Sequence, residues 1–180
     1  PLPISSVLPR TVSVGIAGDG AVKSSPDVGV KFDLEALSKT PAVFPADVAP
    51  ADGVKAILYE GAVFNGKPTR VFAYYGVPKE AESSPGKKFP AMVLIHGGGG
   101  TAFDRWVKVW NSRGYAAISM DLCGCVPVRE GNSWKRHEHG GPPGWDASFQ
   151  QLDSPVQDQW TYQTVRSVSL AHPMPRSYLD

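Results

Sequence analysis

Cysteine is scarce in this chain. Its 180 residues hold two, Cys123 and Cys125, separated only by Gly124, which excludes a scaffold built on several disulfides. An excess of one charge is also missing. Eighteen Lys and Arg stand against 17 Asp and Glu, a formal net charge of +1, so neither a polyanion-binding surface nor an acidic tail is expected, and nucleic acid is not an expected partner. No uninterrupted apolar stretch runs beyond a few residues, Ala91–Ile95 being typical, so no transmembrane helix can be drawn. The opening PLPISSVLPR has neither a basic n-region nor an apolar h-region, which leaves the compartment open. A chain whose signal peptide has been removed would be periplasmic or secreted, and otherwise cytoplasmic.

What is abundant is punctuation. Nineteen glycines and 17 prolines make a fifth of the residues, above average usage but short of low complexity. Prolines at 3, 9, 26, 41, 45 and 50 break the first fifty residues, with short β-branched pieces such as Thr11–Ile16 between them, and residues 1–52 read as an extended amino-terminal arm with one strand pair. Val54–Tyr59 and Thr69–Tyr75 read as strands, joined through Asn65-Gly66-Lys67-Pro68, which is hairpin turn chemistry. Ala91–Ile95 is a continuous apolar run that suits a parallel strand covered on both faces. Thr101 with Asp104 resembles a capping box, and Phe103, Trp106, Val107 and Trp110 follow at helical spacing up to Gly114. Tyr115–Met120 then reads as a second buried strand with Asp121 at its end, completing a right-handed strand–helix–strand crossover. Residues 121–153 show no periodicity and read as a long functional loop. Ser154, Pro155 and Gln157 give the start signals of a last helix, expected from about Pro155 to about Ala171.

The glycine run carries the chemistry. His96-Gly97-Gly98-Gly99-Gly100 lies between a buried strand and a helix. There, backbone without Cβ atoms can take unusual conformations and aim N–H groups into a cleft. Such donors suit an anion or a developing oxyanion, and an HGGG run of this kind forms half of the oxyanion hole in α/β-hydrolases. A phosphate loop would require the Lys and Ser/Thr of G-x-x-x-x-G-K-[ST], which do not follow Gly100. A plain flexible turn is the bland alternative.

Three stretches together carry a family resemblance: Lys67–Gly76, Val93–Phe103 and Gly114–Ile118. With Cys123–Val128, Arg136-His137-Glu138 and Gly140–Trp145, they resemble bacterial α/β-hydrolases of the acetylxylan esterase and acylaminoacyl-peptidase-like kind, related to dienelactone hydrolases. The resemblance covers about Val54–Ala171. It implies an α/β fold in which the arm and hairpin precede the first half of a mostly parallel, three-layer hydrolase sheet over residues 53–180. It also implies a serine hydrolase cleaving esters, carbohydrate acetyl esters among them, or amides through an acyl-enzyme, with no cofactor. The oxyanion hole falls to Gly97, Gly98 and Gly99, with His96 supporting the loop.

One departure is plain. No serine in these residues has the G-x-S-x-G elbow, since Gly131-Asn132-Ser133-Trp134-Lys135 lacks the second glycine. The nucleophile, acid and His are therefore expected beyond Asp180, and the expected partners are a small ester or amide substrate and the remaining carboxyl-terminal half of the domain. Asp121, Trp134 and Trp145 are candidate substrate contacts, with a helix cap or loop hydrogen bond the alternative for Asp121 and packing of the long loop onto the domain the alternative for the two tryptophans. Cys123, Cys125, His137 and His139 form a rival constellation, a metal-binding or redox module. Their C-x-C and H-x-H spacings depart from the common zinc patterns, so no metal is expected. A non-catalytic binding domain retaining the fold is the other alternative.

Overall fold

In the computed structural model, residues 30–144 and 149–174 are described. The chain divides at Val30 into two units, and all the described strands and helices belong to the second, Lys31–Asp180. Its strands are β1 (Val43–Pro45), β2 (Lys55–Glu60), β3 (Arg70–Gly76), β4 (Ala91–Leu94), β5 (Ala116–Met120), β6 (Cys125–Glu130) and β7 (Ser133–Arg136). The helices are α1 (Leu34–Ser38), α2 (Asp104–Asn111) and α3 (Trp160–Ala171).

The main sheet has the order β1-β2-β3-β5-β4, and β6 and β7 form a separate hairpin. Strands β2 and β3 pair antiparallel, and Asn65 and Gly66, at φ 48° and 73°, turn the tip of their connection between Phe64 and Lys67. Two successive positive φ values are what a type I′ turn requires, and Asn-Gly adopts them at least cost. Strand β4, helix α2 and strand β5 make the crossover, with β4 and β5 parallel.

Two expectations change. The sheet expected to be mostly parallel has one parallel pairing, β4 with β5, among the described residues, against three antiparallel ones. The meander β1-β2-β3 supplies short-turn connections, and only the crossover through a helix can return a strand parallel. Residues 31–52 of the arm, expected to be extended with one strand pair, carry the helix α1 and a single strand, β1, which pairs with β2, while residues 1–29 lie outside the described residues. The Asp33 side chain accepts from the Ala36 N–H at 2.9 Å and so starts α1, as an N-cap does.

Strand alternation sends side chains to opposite faces of the sheet, and each face has its own core. Ile57, Tyr59, Val71, Ala73, Ile118 and Met120 pack with Leu37 of α1 and Leu170 of α3. Phe72, Tyr74 and Ala117 pack on the other face with Val107 of α2 and Val126 of β6. Helices thus cover both faces, an α/β arrangement in three layers. Tyr59, fully buried, donates its hydroxyl to the Ser167 carbonyl at 2.9 Å and ties the sheet to α3.

Helices α2 and α3 both start later than their local signals. The N-cap of α2 is Phe103, whose N–H donates to Ser119 Oγ at 3.0 Å, while Thr101 is buried. After Pro155 the chain makes a 3-10 turn over Val156–Asp158, and α3 opens at Trp160 with its N–H held by Gln151 Oε1 at 2.6 Å. In both cases a partner distant in sequence takes the cap's place.

Candidate functional site

The glycine loop follows β4. Gly100 N–H donates to Gly97 O at 2.9 Å, closing a turn over the four glycines. None of Gly97, Gly99 and Gly100 lies in the left-handed region, so the freedom anticipated there is not what the turn uses. Close approach matters at Gly100, where a Cβ would come within 2.8 Å of the His96 side chain. At Gly97 and Gly99 a Cβ would meet nothing within 4 Å. Those two glycines leave space on the open side of the loop.

The loop's carbonyls are occupied. Gly97 O accepts from Gly100 N–H and lies 2.6 Å from His96 Nδ1. Gly98 O accepts from Cys123 Sγ at 3.8 Å, and Gly99 O from Trp134 Nε1 at 3.2 Å. By contrast, the N–H groups of Gly97, Gly98 and Gly99 meet no acceptor among the described residues. Backbone donors left over while every neighbouring carbonyl is used are available to an incoming oxygen.

His96 is buried, and its Nε2 accepts from Leu122 N–H at 3.0 Å. An acceptor at Nε2 puts the neutral ring's proton on Nδ1, which then donates to Gly97 O. Both ring nitrogens are therefore committed to holding loops together.

Asp121, for which a loop hydrogen bond stood beside a substrate contact, is 2% exposed and makes loop hydrogen bonds. Its Oδ1 accepts from Cys123 N–H at 2.8 Å and Cys125 N–H at 2.7 Å. Burial pushes this carboxyl's pKa up, opposed by those two amides. Gly124, at φ 70°, completes the turn, and a Cβ there would also run into Gly141. Arg136 buckles this turn to the next segment, donating from Nη1 to Cys123 O at 2.6 Å and from Nη2 to Gly141 O.

Residues read as one aperiodic loop contain the β6–β7 hairpin, turned at Gly131-Asn132 with Gly131 at φ 61°. Pro127 and a bulge between Val126 and Arg129 spoil the alternation that would have marked it. The hairpin stands over the glycine loop. Between them is an open cleft of about 330 Å³, walled by Gly98–Gly100 on one side and by Arg129, Ser133, Trp134 and Arg136 on the other. Arg129 and Arg136 had no assigned role from sequence, and the Gly131-Asn132 dipeptide was the signal that could have placed them.

Of the remaining candidates, Trp134 walls the cleft, and Trp145 lies outside the described residues. The cysteine and histidine set is not brought together. Cys123 and Cys125 are buried, and no group of three or more His, Cys, Asp or Glu converges as metal ligands among the described residues. Cys125 Sγ turns to Cys123 O at 3.5 Å, and burial pushes its thiol up to about 11. His139 lies 3.2 Å from Glu138, while burial pulls His137 down to about 4. A thiol at 11 is a poor thiolate at neutral pH.

No family profile matches the chain, and no curated protein matches it. Among solved structures, an acetyl xylan esterase from Paenibacillus sp. R4 is 28% identical with a TM-score of 0.36, over 62% of this chain and 35% of that one. Acetyl xylan esterase 1 from Thermoanaerobacterium sp. JW/SL YS485 is 16% identical with a TM-score of 0.44, over 75% of this chain and 43% of that one. The chain spans less than half the length of either.

Proposed function

We propose that these residues are part of a hydrolase that cleaves an ester or amide through an acyl-enzyme, with the N–H groups of Gly97, Gly98 and Gly99 receiving the oxyanion. One observation carries the reading: the loop's carbonyls are all taken while those three amides point at no acceptor among the described residues. Donors fixed before the reaction stabilise charge as it develops and need no reorganisation. His96 is a positioning residue, because its Nδ1–H holds the carbonyl of the peptide whose N–H belongs to Gly98.

In this reading the nucleophile, its base and the acid come from outside the 180 residues, because no serine here has the elbow context. Strand β4 pairs on one side only among the described residues. Its free parallel edge is where a further strand of the same sheet would add.

The natural full-length protein tests this with 4-nitrophenyl acetate and a fluorophosphonate label. Labelling of one serine in a G-x-S-x-G context, with turnover lost on its replacement, is the expected result. Gly99→Val then probes the loop. A Cβ at Gly99 meets open space, so the melting temperature should hold while a side chain in the cleft obstructs the carbonyl. Losing one oxyanion donor costs about 10²–10³ in kcat. Unchanged kcat in a folded Gly99→Val protein would sink the oxyanion assignment.

A further inference from the structure

The cleft has a sign. Its lining among the described residues includes two guanidinium groups, Arg129 and Arg136, and no Asp or Glu. Among the described residues neither arginine takes part in an ion pair. Gly98 and Gly99, whose N–H groups meet no acceptor among the described residues, also line the cleft. Like charges gathered in a concave site raise the local concentration of an anion.

The two arginines differ in what remains to them. Arg136 is spent on the carbonyls of Cys123 and Gly141. Arg129 is presented. Its guanidinium lies 3.8 Å from the centroid of the Trp134 indole, and its one hydrogen bond is a long 3.4 Å contact to Asn132 O. A guanidinium stacked on an indole keeps its plane and leaves its in-plane N–H edge free, which suits a planar, two-oxygen acceptor. The indole is itself tied to the loop through Nε1–H and Gly99 O. Arg129 is therefore held by a rigid ring at a set remove from the amides.

We propose that the cleft is a carboxylate-binding site anchored by Arg129 on Trp134, and that the substrate of the proposed hydrolysis carries that carboxylate. The first half stands on the stacked pair alone. The second rests on the hydrolase reading. Both halves put the carboxylate at the hairpin wall and the scissile carbonyl at the glycine loop.

Calorimetric titration of the full-length protein with benzoate tests the first half. Binding is expected in the wild type and in Lys135→Gln, which removes a hairpin charge outside the cleft lining, and should weaken about tenfold or more in Arg129→Gln. Arg129→Lys should recover little, because an ammonium offers no fork. Absence of benzoate binding overturns the proposal, as does binding that survives Arg129→Gln. Inorganic phosphate bound as tightly as benzoate would overturn the assignment to carboxylate.

The second half is read from mono(4-nitrophenyl) succinate against 4-nitrophenyl acetate. The ratio of their kcat/KM values should favour the anionic ester in wild type and collapse in Arg129→Gln, a comparison internal to each protein and so insensitive to lost fold. A ratio near one in wild type overturns this half. Turnover of neither ester, with Arg129-dependent benzoate binding intact, would remove the hydrolase reading and support the anion site.

Discussion

The sheet with its helices and the segment from Asp121 to Gly144 are held together by different means. In the sheet, alternating apolar side chains meet two separate cores, and fully buried residues such as Phe72, Ile118 and Val107 do the packing. In the other segment Leu122 and Val126 reach the two cores, and polar connections run from side chain to backbone. Asp121 holds two amides, Arg136 two carbonyls, and Trp160 donates to Leu122 O at 2.7 Å. Apolar packing tolerates exchange of similar volumes, whereas a buried polar staple tolerates almost nothing, because its partners are left unsatisfied. The cleft lies where the two meet, with a loop from the sheet as one wall and a stapled hairpin as the other.

The largest effect should come from the sheet. Phe72→Ala empties a site that is 0% exposed and removes an edge-on contact with Tyr74 at 5.1 Å between centroids. A loss of about 3–5 kcal/mol is expected from such a truncation, read as a lower denaturant midpoint with an unchanged slope. A loss below about 1 kcal/mol would mean that the face behind α2 is not a packed core.

Asp121→Ala comes next and strikes the staples. Two buried amides, Cys123 and Cys125, lose their acceptor, at about 1–3 kcal/mol for each unsatisfied group. Asn keeps an oxygen acceptor, so Asp121→Asn should recover much of the loss. Hydrogen exchange distinguishes the regions: amides of residues 122–125 should lose protection before those of β3 and β5. Uniform loss across both would show one cooperative structure with no difference in cohesion.

How far each region could be read from sequence follows from the same contrast. The β-branched, aliphatic and aromatic runs of Val54–Tyr59 and Thr69–Tyr75 and the Asn65-Gly66 turn are local signals, and β2 and β3 lie within a residue of where they were expected. The glycine loop was legible for the same reason. The starts of α2 and α3 were not, because Ser119 Oγ and Gln151 Oε1 reach them across the fold. The β6–β7 hairpin was hidden by Pro127 and its bulge. The Arg129–Trp134 stack depends on that hairpin's register, so no local pattern could announce it. Asp121 was visible as a strand-ending carboxylate, but its burial depends on how the following turn folds back.

A pH titration sharpens the comparison at a smaller scale. Burial, with His139 and Arg136 nearby and Glu138 opposing, pulls His137 from 6.5 down to about 4 in the folded protein. Below pH 6.5 the unfolded chain takes up a proton that the folded one refuses. This contribution to stability is therefore complete above about pH 6.5 and declines as the pH falls toward about 4. The residue as a whole is half-buried, so solvent screening leaves roughly 1–2 kcal/mol of it. His137→Gln should flatten the decline over that window, measured as the melting temperature of each protein from pH 7 to 4. Identical profiles would show that the ring is solvated when the segment folds.

The smallest effect belongs to the turn of the β2–β3 hairpin. Gly66 sits at φ 73° with no atom within 4 Å of where a Cβ would be, so Gly66→Ala creates no clash and its cost is conformational alone. A left-handed residue bearing a Cβ costs about 1–2 kcal/mol, and alanine's stiffer unfolded chain returns a few tenths of that. A net loss of about 1 kcal/mol is expected, seen as a small drop in the denaturant midpoint. Gly124→Ala is the matched probe in the stapled segment. It carries a similar φ of 70°, but its Cβ would approach Arg136 Nη2 and Gly141 within 3.0 Å. The same substitution at nearly the same φ should therefore cost distinctly more at 124 than at 66, because there it also pries apart a buckle. Equal costs at the two glycines would mean that the Arg136 contacts give way freely, and the contrast between a packed sheet and a stapled segment would fail at its most direct point of comparison.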